Sequence, residues 1–201
     1  MTKHMSGQNI VTPTPETLLS AAKTAQKNGN LPPVHLWNPP FCGNLDMEIK
    51  RDGTWFYNGT PIGRAPLVRL FSTILKLEDG KYFLVTPVEK VGIRVQDAPF
   101  VAQDFEASGE GCAQTITFTT NVGDTVTASA ETPIRVLRDE AGEPSPYVMI
   151  RSGLEALIDR KSFYRLVDLG EAHSVEGVEW FGLWSSGQFF PFIPVAELQN
   201  S

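Results

Sequence analysis

Arg64 and Arg160 occupy the same place in a pattern that the chain carries twice. Ile62-Gly63-Arg64-Ala65-Pro66-Leu67-Val68-Arg69-Leu70-Phe71 recurs as Ile158-Asp159-Arg160-Lys161-Ser162-Phe163-Tyr164-Arg165-Leu166-Val167, 96 residues further on. Each arginine falls just before or at an expected helix start, where unbonded backbone N–H groups and the helix dipole favour an anion. A guanidinium there adds a two-pronged grip on phosphate or carboxylate. The chemistry these residues could do is the binding of a small anion. The competing reading is that both pair with acidic neighbours and hold the two repeats together. Arg69 and Arg165, one turn further along, read as structural.

A second charged group lies in Glu89-Lys90-Val91-Gly92-Ile93-Arg94, where alternation along a strand puts charge on one face. Glu89, Lys90 and Arg94 would line a junction between two units, or else meet solvent. Asn121 and Asp124 fall in a turn whose chemistry accounts for both. Trp37, Trp55, Trp180 and Trp184 could stack on a flat ligand, although aromatic residues on strands are usually core. Signals for catalysis are weak. His4, His35 and His173 are scattered and no cysteine pair accompanies them, so no metal site is expected. Cys42 stands beside Gly43 and near Asp46, but a nucleophile would need His35 brought close, and an idle thiol is the plainer reading. A Gly-x-Ser-x-Gly elbow and a phosphate-binding glycine loop are both missing from the sequence. No catalytic residue and no cofactor is assigned.

Composition narrows the function classes. The chain has 201 residues, 41% of them hydrophobic and 20% charged, with a net charge of -6. That acidic balance, without a basic run, argues against generic nucleic-acid binding. Two cysteines, Cys42 and Cys112, fit a reducing compartment better than a disulfide framework. No apolar stretch is long enough to span a membrane, and the polar N-terminus leads into no signal core, so the expectation is a cytoplasmic protein.

The elements that must position these residues follow from pattern and punctuation. Thr14 as N-cap with Pro15 behind it predicts a helix with Leu18, Leu19, Ala22 and Ala25 on one face, stopped by Asn28-Gly29-Asn30. Prolines 32, 33, 39 and 40 predict an extended arm over Leu31 to Pro40, whose Val34, Leu36 and Trp37 call for burial. Leu45, Met47 and Ile49 alternate as in a half-buried strand, and Asp52-Gly53 predicts a type I′ hairpin turn before Thr54 to Tyr57. Asn58-Gly59 turns the chain again. Leu67, Leu70, Phe71 and Ile74 form a helical stripe from about Ala65 to Lys76, ended by Asp79-Gly80. Tyr82 to Val85 and Val91 to Val95 read as a hairpin. Beyond it, Phe100 to Phe105, Thr115 to Thr119, Val122 to Ala128, Ile134 to Arg138 and Tyr147 to Ile150 read as strands. Ser152-Gly153 then matches Asn58-Gly59. Asp159 is a good N-cap for a second helix with Phe163, Leu166 and Val167 inward, and Glu179 to Phe190 forms a closing hairpin.

Each half thus reads as hairpin, helix, hairpin, which predicts an α+β fold of two repeat-related antiparallel-sheet units. The second unit would be the larger, a curled sheet or partial barrel with one helix against it. The expected divisions are a tail, short helix and arm (1–36), an N-terminal α+β unit (37–96), a β-rich C-terminal unit (97–195) and a short tail (196–201).

Several unbroken strings resemble a bacterial family of unknown function, domain-of-unknown-function family 1285. They include Pro39-Pro40-Phe41-Cys42-Gly43-Asn44-Leu45-Asp46, Gly53-Thr54-Trp55-Phe56-Tyr57-Asn58-Gly59-Thr60-Pro61-Ile62-Gly63-Arg64, and Leu84-Val85-Thr86-Pro87-Val88-Glu89-Lys90-Val91. Asn121-Val122-Gly123-Asp124 and Arg151-Ser152-Gly153-Leu154-Glu155-Ala156-Leu157-Ile158-Asp159-Arg160 extend the likeness, which covers about residues 32 to 192. The resemblance implies a duplicated core, a C-terminal domain superficially like pleckstrin-homology folds, a nucleotide-like ligand between the domains, and a signalling role. Taken with the residues, the expectation is a non-enzymatic module that holds a small anionic ligand at the junction, with Arg64, Arg160, Arg94, Glu89 and Lys90 around it. The alternative is a protein-interaction module that offers an exposed strand edge of its C-terminal sheet to a partner.

Overall fold

Thr14 and Thr17 close a reciprocal capping box that starts the first helix, α1 (Pro15–Ala25). Pro15 takes the early position where its missing N–H costs nothing. Leu18 and Ala22 are fully buried on one face. The computed structural model describes residues 14–26 and 31–198. The expected stop at Asn28-Gly29-Asn30 and the N-terminal tail lie outside those residues. Along the proline arm, Val34–Leu36 forms one turn of 3-10 helix, and Lys76 Nζ donates to Trp37 O at 3.1 Å. Val34 is buried and Trp37 half-buried, but Leu36 stays 72% exposed, contrary to its expected burial.

The first repeat then runs β1 (Phe41–Ile49), β2 (Trp55–Tyr57), β3 (Thr60–Pro61), α2 (Ala65–Thr73), β4 (Leu75–Glu78), β5 (Lys81–Val85) and β6 (Lys90–Val95). Its strands lie in the order β3-β2-β1-β6-β5-β4. Two expectations need correction. The turn at Asp52-Gly53 is not type I′: only Gly53 has positive φ, and Gly53 N bonds Lys50 O at 2.9 Å. This is the three-residue hairpin loop that ends in a left-handed glycine. The helix also ends at Thr73, earlier than Lys76. Ile74 and Leu75 are buried, and Leu75 already pairs with Leu84, so β4 takes over the residues that the helical stripe claimed. Asp79-Gly80 consequently turns β4 into β5, with φ of 49° and 73°.

The second sheet comprises β7 (Phe100–Ser108), β8 (Thr115–Thr120), β9 (Thr125–Thr127), β10 (Ile134–Arg138), β11 (Pro144–Arg151) and β12 (Leu154–Ile158), ordered β10-β11-β12-β7-β8-β9. Bulges interrupt β7 between Ala102 and Asp104 and β11 between Met149 and Arg151, and such bulges sharpen the twist that curls a sheet into a half-barrel. The expectation of a purely antiparallel arrangement fails at one place. Ala156, Leu157 and Ile158 of β12 pair in parallel with Phe100, Val101 and Ala102 of β7. The chain makes β8 to β11 before returning beside β7, so the connection is long enough for a parallel neighbour. After β12 come α3 (Arg160–Val167), β13 (Glu171–Val175), β14 (Val178–Ser185), β15 (Gln188–Pro194) and α4 (Val195–Leu198). The last three strands form a sheet of their own.

Contacts divide the chain into two compact units. The smaller holds the described residues up to Asp46 together with Leu70–Ile93; the larger holds Met47–Arg69 and everything from Arg94 onward. Leu18, Phe71, Ile74, Leu84 and Val85 are buried in the smaller. In the larger, Ile49, Trp55, Phe100, Ile116, Phe118, Leu154, Ile158 and Leu166 are buried.

Candidate functional site

Both copies of the repeated motif border a cleft, and both clefts lie inside the larger unit. The first, of about 570 Å³, opens at the start of α2 and is lined by Gly53, Trp55, Ile62, Gly63, Pro66 and Arg69 among others. The second, of about 520 Å³, opens at the start of α3 and includes Ile158, Asp159, Arg160, Phe163 and Tyr164. Ile62 and Ile158, Gly63 and Asp159, and Val68 and Tyr164 are matched positions of the repeat, so the two clefts fall on one place in the motif.

The α2 cleft is built on an asparagine clamp. Asn121 Nδ2 donates to Gly53 O at 3.2 Å, while Val101 N donates to Asn121 Oδ1 at 3.0 Å. A Cβ at Gly53 would come within 2.5 Å of Asn121 Nδ2, and φ there is +82°, so glycine is required on both counts. Beside it, the turn after β8 brings Gly123 against the Arg69 guanidinium, 3.4 Å from where a Cβ would stand. Asp124 pairs with Arg151, whose guanidinium lies 4.9 Å over the Phe100 ring. Of the residues lining this cleft, Arg69 is the one that carries charge. Its other polar side chains are Thr54 and Asn121, and its walls include Ile62, Pro66, Val68 and Val122.

The α3 cleft has mixed charge. Arg51 and Arg160 face Asp139, Glu143 and Asp159 around its lining. Arg160 Nη2 bonds Glu143 Oε1 at 2.8 Å, and Arg51 bonds Ser145 Oγ at 3.0 Å and lies 3.3 Å from Asp97 Oδ2. Burial, and then the Asp97 carboxylate that takes its hydroxyl at 2.8 Å, push the neighbouring Tyr147 phenol above its ordinary range.

Helix starts supply fewer N–H groups than expected from sequence. In α3 the Asp159 carboxylate takes Ser162 N at 2.7 Å and its carbonyl takes Phe163 N at 2.9 Å. In α2 the Arg64 carbonyl takes Leu67 N and Val68 N, and Pro66 has none to give. An anion at either end would depend on side chains.

The five expected site residues are distributed as follows. Arg160 lines the α3 cleft. Arg64 lines neither cleft; it is exposed between Gly63 and Ala65, which line the α2 cleft, and has no ion-pair partner among the described residues. Arg94 stands 3.8 Å from Glu48. Glu89 and Lys90 belong to the smaller unit. Lys90 bonds Glu78 at 2.7 Å above the Phe83 ring, and with Lys76 it holds the Glu78 carboxyl below its usual range. Glu89 is only 9% exposed; burial raises its carboxyl above the ordinary range, against a hydrogen bond with the Thr17 side chain of α1. Sequence reasoning ranked Arg69 below Arg64, because a helix interior gives no sign of a turn folded back from β8.

Cys42 is exposed and its thiol donates to Pro40 O at 3.4 Å. Among the described residues no group of His, Cys, Asp and Glu could hold a metal ion, and no helix is long and apolar enough to cross a membrane.

Comparison with curated proteins gives no match. Among solved structures, a DUF1285 family protein from Silicibacter pomeroyi DSS-3 is 62% identical, covering 90% of this chain and 97% of its own, with a TM-score of 0.82. A DUF1285 family protein from Shewanella baltica OS155 is 29% identical over 62% of this chain and 91% of its own, with a TM-score of 0.49. Residues 32–98 match the model of the N-terminal domain of DUF1285, a domain of unknown function, and residues 99–192 match that of its C-terminal domain. The chain therefore belongs to the DUF1285 family, whose two domains account for everything from the proline arm to the last strand.

Proposed function

We propose that the protein is a non-enzymatic module that binds a small anionic ligand in the α2 cleft. The observation that carries this reading is the contrast in charge: the α2 cleft is lined by one cation and no carboxylate, the α3 cleft by charges of both signs. Arg69 would meet the anionic group from inside and Arg64 from the rim, with Ile62, Pro66 and Val68 against the rest of the ligand. A volume of about 570 Å³ suits a small metabolite. The cleft draws on residues 53–69 of the N-terminal family region and 121–122 of the C-terminal one, which supports a ligand at a junction of the two domains. A nucleotide-like ligand and a role in signalling would follow from the family resemblance. The repeated order of hairpin, helix and meander supports an origin by duplication, and the curled second sheet with α3 against it supports the pleckstrin-homology-like reading.

The partner-binding reading has one observation in its favour. β13 is an edge strand whose residues Glu171 to Ser174 are exposed. Its Glu171 and His173, however, are the polar edge residues that discourage strand addition.

Thermal unfolding against inorganic phosphate, citrate and nucleoside mono- and diphosphates tests the proposal. A ligand at a hundred times its Kd adds about 2.7 kcal/mol, or roughly 5–10 °C in Tm for a chain of this size. Arg69→Ala should abolish the shift. A flat panel, or a shift that survives Arg69→Ala and Arg64→Ala alike, would remove the α2 cleft as the site.

A further inference from the structure

We infer that the α3 cleft is a second site, separate from the first in ligand class, and that it takes a small zwitterion of the amino-acid type. One pair in the lining of this cleft can be opened by a ligand. Arg160 and Glu143 meet at 2.8 Å with side chains 74% and 66% exposed, and such exposed pairs hold weakly. The two come from different elements: Arg160 is the first residue of α3, and Glu143 ends the turn between β10 and β11. That turn is fixed by its own bonds. Asp139 Oδ1 accepts from Ala141 N and Glu143 N at 2.9 and 2.8 Å, and Arg138 Nη1 donates to Gly142 O at 3.0 Å. The Glu143 side chain can therefore swing away while its backbone stays put.

The remaining lining charges are already committed. One oxygen of the Asp159 carboxylate caps α3, one of Asp139 holds its turn, and Arg51 is held by Ser145 and Asp97. Among the described residues, Glu143 and Arg160 have side-chain bonds only to each other. A ligand with a carboxylate and an ammonium replaces that single ionic contact with two, its carboxylate on Arg160 and its ammonium on Glu143. A plain anion would capture Arg160 but strand Glu143, and a plain cation would do the reverse. Phe163 and Tyr164, the latter 60% exposed, stand beside the pair and offer an apolar side chain somewhere to lie. A volume of about 520 Å³ holds a free amino acid comfortably.

The test is calorimetric titration of the full-length protein with phenylalanine, 3-phenylpropionate and phenethylamine, which share the ring and differ in charge, followed by the other natural amino acids. The expected result is binding of one or more amino acids, with at least a tenfold preference over the analogue that lacks either charge. Arg160→Ala and Glu143→Gln should each erase that preference. Both residues are at the surface, so the variants should fold, which circular dichroism checks. Gly63→Asp, in the other cleft, should leave amino-acid binding unchanged. Absence of binding across the amino acids would overturn the inference, as would equal affinity for the three phenyl probes or a preference that survives both variants.

Discussion

The two copies of the motif share an element order and differ in how each treats its helix start. Both begin with a hairpin closed by a two-residue turn at positive φ, Asn58-Gly59 in the first and Ser152-Gly153 in the second. Both continue into a helix and a three-strand meander whose first turn is again left-handed, at Asp79-Gly80 and Glu176-Gly177. At the matched positions Gly63 and Asp159, however, the second copy supplies its own carboxylate and the first supplies none. The second arginines also part company. Arg165 pairs with Asp104 and covers the Phe105 ring at 4.4 Å, whereas Arg69 reaches the turn at Gly123 and lines a cleft. One copy sets its second arginine against a strand, and the other sets it in the lining of a cleft. Identical spacing therefore does not imply identical use.

Burial of the two helices separates them most strongly. α2 buries Leu70, Phe71, Ser72 and Thr73 in succession, whereas α3 buries Ser162 and Leu166 and leaves Val167 half-buried. Phe71→Ala should cost about 3–5 kcal/mol, the usual penalty for emptying a fully buried aromatic position. Its counterpart Val167→Ala should cost about 1 kcal/mol or less, because a half-buried site leaves a smaller cavity. Urea unfolding of the two variants checks this, and equal losses would mean that the helices are equivalent braces after all.

The next effect is the cap. Asp159→Ala should destabilise by about 1 kcal/mol, since Ser162 N loses its acceptor. The reciprocal change, Gly63→Asp, gives the first copy the carboxylate of the second. Gly63 is not left-handed and a Cβ there would meet nothing within 4 Å, so the variant should fold with unchanged or slightly raised stability. It should also abolish any anion-induced Tm shift at the α2 cleft, by placing a competing charge there. A Gly63→Asp protein that still responds to anions would break the proposed contrast between the copies, and Gly63→Asn separates the effect of charge from that of bulk.

The parts of this architecture readable from sequence were those written in local chemistry. Thr14, Pro15 and Asp159 marked two helix starts, and β10 fell on the residues read as a strand. Strand β4 was missed because the helical stripe that ends at Ile74 runs into it, whereas β12 and β13 are five-residue segments that were not picked out. The parallel pairing of β12 with β7 depends on a fold-back of more than 50 residues that no local pattern records. Candidate site residues suffered similarly. The repeat singled out Arg160, which lines the α3 cleft, but Arg69 and Asn121 acquire their surroundings from turns distant in sequence, and Glu89 read as one member of a charged strand face when it lies under α1.

Glu89 supplies the smallest and last contrast. The first copy joins its final two strands through Thr86 to Glu89, where Thr86 N donates to Glu89 O at 2.9 Å and Glu89 N donates to Thr86 Oγ1 at 3.2 Å. The second copy uses the two-residue turn Ser186-Gly187, which has no carboxylate. Because burial raises the Glu89 carboxyl above 4.5, the folded chain holds that proton more tightly than the unfolded one. This contribution is fully present below the unfolded value and is lost as pH rises through the folded one. Glu48, Glu78 and Asp104, all lowered, act in the opposite direction and at lower pH. Stability just above pH 4.5 should therefore fall with rising pH by a modest amount that Glu89→Gln removes, since glutamine keeps the hydrogen bond with Thr17 and has no proton to lose. Protection of α1 amides measured beside overall unfolding locates the effect. A slope that persists in Glu89→Gln would assign it to another group, and a slope that vanishes would tie the docking of α1 to a carboxyl found in the first copy alone.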